Sequence, residues 1–80
     1  MKIPKKHSDF CTKLAKSIMK EVDVEKLDTI RKEKKFCSDM SKALTRIMNA
    51  LYGELGKFVV DVYLTVLCKK KYVRVELNLR

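Results

Sequence analysis

The residues that could carry out acid–base chemistry are few and poorly placed for it. The one histidine, His7, lies in the basic N-terminal segment 1–7 and is predicted to be solvent-exposed rather than a catalytic base. Asp61 and Glu76 fall where two strands of a hairpin could oppose each other. Surface ion pairing of these carboxylates, with Arg74 or a lysine, is favoured over an acid–base couple. The sequence therefore predicts no catalytic site and no enzyme.

The three cysteines, Cys11, Cys37 and Cys68, are odd in number, widely spaced and set among apolar residues. This pattern is typical of free thiols buried as small hydrophobic side chains in a reducing compartment. A structural zinc site needs four ligands at short spacings, which these cysteines and His7 do not supply. No metal and no cofactor is predicted.

The formal net charge of +9 over 80 residues is the strongest compositional feature. It favours a nucleic acid, an acidic protein or another polyanion as a partner. The basic residues nevertheless form separate small groups, which is also typical of a solvated surface. We expect anion contacts, if any, at three consecutive lysines: Lys69, Lys70 and Lys71.

The length of the chain predicts one small domain in need of a partner. A domain of this size buries only about 60% of the surface that its unfolded chain exposes. Small folds add disulfides, metals or oligomerisation to gain stability. The sequence shows no signal peptide, and its longest apolar stretch, from Phe58 to Cys68, is shorter than the roughly 20 residues of a membrane-spanning helix. A cytoplasmic protein is predicted, with cytoskeletal and nuclear sites as alternatives.

Two amphipathic helices are predicted in the first part of the chain. Ser8 is the expected cap of the first, whose apolar residues repeat along one face as far as Val22. The second is predicted from Ser38 to Tyr52, with Gly53 ending it. The segment 23–35 is left open between a short helical turn and a connection. The core stripe of the second helix is predicted to include Leu44 and Ile47, with Lys42 and Asn49 facing away.

The period changes to two after Gly56, which predicts an antiparallel hairpin. The first strand, Phe58–Cys68, is apolar on both faces and is expected to be central and buried. Lys69–Lys71 is the predicted turn, and the strand from Tyr72 onward alternates polar with aliphatic residues. The predicted fold class is α+β, with a basic tail (1–7), a helical part (8–56) and a hairpin (57–80). A second subunit or a partner strand is expected to complete the sheet.

The hairpin is also the predicted site of partner or dimer contacts. We expect a non-catalytic binding module that holds partner proteins through a sheet edge or a dimer interface. The alternative is a small basic protein of a ribonucleoprotein or chromatin complex, although the strands carry only two aromatic residues that could stack on bases. The candidate contact residues are Val59, Asp61, Tyr63, Tyr72, Arg74, Val75 and Leu77.

Two stretches, Phe36–Leu51 and Gly56–Leu64, together resemble the Tctex-type dynein light chains. The shared pattern is an aromatic residue and a polar cap, an amphipathic second helix, a turn and a Lys-aromatic-Val-Val strand. The resemblance implies a homodimer with an exchanged strand, an adaptor of a microtubule motor that binds cargo or an intermediate-chain peptide along a sheet edge. The family continues through two more strands and has Arg-Tyr-Lys where this chain has Leu55-Gly56-Lys57. The resemblance therefore implies a truncated or divergent member.

Overall fold

A computed structural model describes residues 3–53, 57–68 and 70–80 of the chain. Two helices precede a two-stranded antiparallel hairpin, which confirms the predicted α+β class. Gly56, the last residue of the predicted helical part, and Lys69 of the predicted turn lie outside the described residues. The elements are α1 (Lys5–Glu21), a short 3₁₀ turn (Val24–Lys26), α2 (Ile30–Tyr52), β1 (Phe58–Leu67) and β2 (Lys70–Leu79).

Helix α1 begins one turn earlier than predicted. Pro4 is its N-cap, and the carbonyl of Pro4 accepts the backbone N–H of His7 at 3.0 Å. Ser8 is therefore an ordinary helical residue, and the predicted tail is partly helical. The proline suits this end of a helix because it has no N–H to leave unpaired. The longer helix buries His7 together with Cys11 and Ala15, each four residues apart.

Helix α2 also begins before the predicted start at Ser38. The Thr29 side chain caps it by accepting the backbone N–H of Lys32 at 3.1 Å. The first turns of α2 thus take up the end of the segment that the sequence left open, and Phe36 and Cys37 lie inside the helix. The predicted end at Tyr52 is confirmed.

The buried stripe of α2 is narrower than predicted. Met40, Leu44 and Met48 are buried at intervals of four residues, and Leu44 is fully inaccessible as expected. The prediction for Ile47 is wrong, since 37% of this residue is exposed. A helix resting on only two strands buries one row of side chains, so the residue three positions after Leu44 already faces outward.

The hairpin has the predicted alternation but less burial than predicted. Its inner face packs under the helices, and Phe58, Val60 and Val62 are its buried residues. The opposite face of β1 is not buried: Tyr63, for example, is 41% exposed. No element in the described ranges covers that outer face, which is why the expected two-sided burial is wrong.

The hairpin turn differs from the predicted three-lysine turn. Lys70 and Lys71 belong to β2, and Cys68 takes the left-handed backbone conformation, with φ of 52°. Cys68 is exposed, so the prediction of a core-like position is wrong for this cysteine.

The two helices lie side by side on the inner face of the hairpin. Helix α2 packs mainly on β1, and α1 packs mainly on β2. The shared core combines side chains of both helices with the first half of β1; it consists of Cys11, Ala15, Met40, Leu44, Met48, Phe58, Val60 and Val62. Neither helix of the described chain is long and apolar enough to cross a membrane.

Candidate functional site

The hairpin divides the predicted contact residues between its two faces. Val75 and Leu77 lie on the inner face, half-buried against the core. The other five share the outer face, which no helix covers, and they occupy neighbouring rows of the two strands: Val59, Asp61, Tyr63, Tyr72 and Arg74.

The outer face carries an unbalanced group of charges. Asp61 and Glu76 stand directly opposite each other across the strands, as the sequence suggested. Arg74 pairs with Glu76 within β2, with 2.6 Å between Nη1 and Oε1, and its guanidinium lies 4.5 Å from the centre of the Tyr63 ring. Among the described residues, half-buried Asp61 has no cation partner and accepts a long 3.4 Å contact from the Asn78 amide. Arg74 therefore pairs with Glu76 but not with Asp61, and two like charges stand directly opposite each other on this face.

Lys71 is not free to bind an anion. Its ammonium pairs with Glu33 at 2.9 Å and donates to the Leu27 carbonyl, so it attaches β2 to the start of α2. Lys70 is exposed, and Lys69 lies outside the described residues. Of the three lysines predicted for anion contacts, only Lys70 is both described and unengaged by such an ion pair.

His7 is a packing residue, contrary to the prediction of solvent exposure. Only 5% of it is accessible. Its ring stacks on Tyr52 with centroids 3.9 Å apart, and it meets the edge of Phe58 at 6.3 Å. The early start of α1 places it there, one helical turn before Cys11. A signal was present in the sequence, because His7, Cys11 and Ala15 continue the apolar row of α1 toward its N-terminus.

The cysteines are all free thiols in three different environments. Burial raises the pKa of Cys11. Burial also raises the pKa of Cys37, and the backbone N–H of Leu64 lowers this pKa by a smaller amount. Cys68 is exposed at the hairpin turn. Across the described parts of the chain, no group of three or more histidine, cysteine or carboxylate side chains is placed to hold a metal ion.

The outer edge of β1 is bonded to short polar side chains of α2. Asn49 accepts the Phe58 N–H at 2.7 Å and donates to the Phe58 carbonyl at 3.0 Å. Thr45 accepts the Val60 N–H at 3.0 Å, and Ser41 donates to the Val60 carbonyl. These four bonds satisfy the backbone groups that would otherwise bind another strand. We call this the covered edge.

The three side chains that cover this edge were not predicted from the sequence. The pattern of α2 placed Asn49 on its outer face, but Ser41, Thr45 and Asn49 each follow a buried residue by one position. The signal was a second row, polar and spaced by four residues, beside the apolar row. Farther along β1, Cys37 faces the Leu64 N–H, and a groove of about 350 Å³ opens there; it is lined by Ile30, Glu33, Lys34, Cys37, Val62, Tyr63 and Leu64.

The outer edge of β2 is different. In an antiparallel pair, backbone groups point alternately toward and away from the neighbouring strand. Since Phe58 and Val60 point away from β2, their cross-strand partners Leu79 and Leu77 point away from β1. The same holds at every second residue, hence at Val75 and Val73.

We call this backbone row, Val73, Val75 and Leu77, the open edge. Within the described ranges, no side-chain hydrogen bond from either helix reaches these three residues. Helix α1 flanks the row without covering it, leaving a groove of about 420 Å³ that is lined by Lys16, Met19, Lys20, Lys71, Tyr72 and Val73.

Neither a family model, nor a curated protein, nor a solved structure matches this chain. The resemblance to the Tctex-type light chains therefore stays a prediction.

Proposed function

We propose that this chain is a non-catalytic, protein-binding adaptor subunit that adds an extended strand of a partner to the open edge of β2. The observation that carries the proposal is the difference between the two edges. The backbone of β1 is bonded to α2 at Phe58 and Val60, whereas the corresponding groups of β2 are presented outward. Strand addition uses such groups for affinity and the alternating side chains for specificity.

The packing of β2 supports the same function. Val73, Val75 and Leu77 are half-buried on the inner face, so a neighbouring strand would remove further apolar surface from water. Arg74 and Glu76 alternate with them on the outer face, where their charges would contact the partner's side chains and contribute to specificity. A two-stranded sheet is only marginally stable, and an added strand would stabilise it.

A proline at Val75 tests the proposal. Since the Val75 N–H points away from β1, Val75→Pro removes a donor from the open edge and leaves the hairpin ladder intact. Val75→Thr is the matched control, because it keeps both the donor and the β-branched shape. Extended peptides would be selected from a displayed library on the wild-type chain and then titrated against both variants.

We expect the selected peptides to bind Val75→Pro at least tenfold more weakly than the wild type, and Val75→Thr about as well as the wild type. Far-UV circular dichroism confirms that both variants are folded. Equal binding to the proline variant, or peptides whose contacts map to β1, would refute the proposal.

A second candidate function, nucleic-acid binding, is favoured by where the charge lies. The two helices carry eleven basic and four acidic residues, so most of the net charge of the described chain is on the helical layer. Tyr63 and Tyr72 also share the outer face of the hairpin, on adjacent rows. Each phosphate contact would steepen the dependence of log affinity on log salt by about 0.7 to 0.9.

Replacing three exposed lysines that do not line the groove beside the open edge with glutamine (Lys6 on α1, and Lys35 and Lys42 on α2) separates the two candidates. A nucleic-acid binder would lose affinity for a random single-stranded RNA, and its salt dependence would flatten. A strand-binding adaptor keeps its peptide affinity in this triple variant. Nanomolar RNA binding that Val75→Pro leaves untouched and the triple variant abolishes would favour the second candidate.

A further inference from the structure

The charges beside the open edge are arranged so that the edge complements itself. On the outer face of β2, Arg74 and Glu76 flank Val75, one on each side. Within the hairpin, Glu76 faces Asp61, a like charge, which destabilises a cross-strand position. A strand that brings a cation opposite Glu76 on its other side would relieve this repulsion.

Only a few registers allow two copies of β2 to pair across their open edges. The outward backbone groups belong to odd-numbered residues, so an antiparallel pair must match odd with odd. When Val75 faces the second copy's Val75, Arg74 of each copy faces Glu76 of the other. A slip of two residues in one direction sets Arg74 against Arg74, and a slip in the other sets Glu76 against Glu76. Charge therefore selects the register centred on Val75.

The same register fits the geometry of the side chains. Val75, Val73 and Leu77 would exchange backbone hydrogen bonds, which makes each Arg74–Glu76 position a non-hydrogen-bonded pair. Side chains approach most closely in such pairs, with Cα atoms about 4.5 Å apart. On the inner face, Val73 of one copy would lie beside Leu77 of the other, joining two half-buried aliphatic rows.

We propose that the occupant of the open edge is β2 of a second copy of this chain, paired antiparallel about a twofold axis at Val75. The proposal rests on the strand-binding function above and names its partner. It gives a continuous sheet in the order β1, β2, β2, β1, with all four helices on one face. Arg74 of each copy then lies opposite Glu76 of the other copy, beside the Asp61–Glu76 pair.

The net charge of the chain makes the stability of this dimer depend on ionic strength. Each chain carries +9, and Lys16 and Lys20 of α1 line the groove beside the open edge. Two copies therefore repel each other at long range, and salt screens that repulsion. Dimerisation should strengthen when ionic strength rises from about 0.01 M to about 0.15 M, over which the Debye length shortens from about 30 Å to about 8 Å. Binding of an acidic strand would weaken over the same range.

A charge exchange tests the register. In Arg74→Glu, two carboxylates face each other at both positions of the interface; in Glu76→Arg, two guanidiniums do. In a mixed dimer of the two variants, the introduced glutamate faces the introduced arginine, and the remaining Glu76 faces the remaining Arg74, so all facing charges are opposite. Arg46→Glu, on the exposed face of α2, makes the same change of charge away from the edge and serves as the control.

Sedimentation equilibrium at about 0.15 M salt is the measurement. We expect each single variant to dimerise at least tenfold more weakly than the wild type, the equimolar mixture to recover the wild-type mass, and Arg46→Glu to behave like the wild type. If Arg74→Glu fails to fold, Glu76→Arg still tests the register. Its new arginine lies opposite Asp61 in the same hairpin, so the substitution replaces a like-charge pair with an opposite-charge pair and should not disturb folding. A wild-type chain that stays monomeric at hundreds of micromolar, or a mixture that does not recover, overturns the proposal; peptide binding to the open edge tests strand binding separately.

Discussion

The two edges of the sheet differ although both strands are flanked by a helix. On the covered edge, Ser41, Thr45 and Asn49 of α2 bind the outward backbone groups of β1. On the open edge, α1 presents Lys16, Met19 and Lys20, none of which bonds to the outward groups of Val73, Val75 or Leu77 in the described part of the chain. Packing a helix against a strand therefore does not by itself protect the strand's edge.

The difference lies in side-chain length and position. Serine, threonine and asparagine are short enough to bond to a strand that lies directly beneath the helix, and a spacing of four residues keeps them in one row. Lysine extends past the backbone toward solvent and, as a donor only, cannot satisfy an outward N–H. Edge strands without such protection are sites of pairing with other chains.

The largest expected effect comes from removing the support of the covered edge. Leu44 is a fully buried residue of α2, so Leu44→Ala should lower the free energy of unfolding by about 2 to 5 kcal/mol. Ile47→Ala, one turn farther along α2 and 37% exposed, should cost less than about 1 kcal/mol. Urea denaturation of both variants checks this. Equal losses would mean that the buried row of α2 is misplaced.

A smaller effect is expected from opening the covered edge directly. Asn49→Ala leaves the N–H and the carbonyl of Phe58 without their partners in a half-buried position. We expect a loss of about 1 to 3 kcal/mol, together with faster exchange of the Phe58 amide. Asn78→Ala makes the same chemical change on the exposed outer face and should stay within about 0.5 kcal/mol. If the two variants lose the same stability, the bonds from Asn49 do not protect the edge.

The smallest expected effect concerns the thiols and alkaline pH. Burial raises the pKa of Cys11 and of Cys37, so above pH 9.0, the ordinary pKa of a thiol, the unfolded chain loses these protons while the folded chain keeps them. Stability is then full below pH 9.0 and falls as pH rises further. The fall should be shallower in Cys11→Ala and unchanged in Cys68→Ala. Denaturation at pH 8 to 10 measures it, and identical slopes in all three chains would contradict it.

The sequence correctly predicted the elements whose residue pattern is continuous along the chain. The alternation in 58–79 predicted the hairpin and set Asp61 opposite Glu76, and the end of α2 at Tyr52 was correct. The helix starts were wrong because a serine at a plausible position competed with Pro4 and Thr29, which are the caps in the structure. Propensity alone does not decide between two acceptable caps.

The sequence could not predict the covered edge, because that depends on how the elements pack. From the pattern of α2 alone, Asn49 is predicted to be a polar residue that faces solvent. In the structure α2 lies over β1, and the Asn49 amide bonds to the backbone of Phe58. Ile47 reads as core until the sheet beneath it is seen to have only two strands. Predicting β1 to be central was wrong for the same reason: its apolar outer face is left uncovered within the described chain, and its free edge is occupied by α2.

Amide hydrogen exchange of the wild-type chain tests the contrast between the two edges most directly. The Phe58 and Val60 amides should be protected at every protein concentration, because α2 binds them. The Val73, Val75 and Leu77 amides should exchange rapidly in dilute protein and slow at least tenfold in concentrated protein, as the open edge becomes paired. Protection of the β2 amides that does not depend on concentration, or a concentration-dependent gain at Phe58 and Val60 instead, would contradict the account.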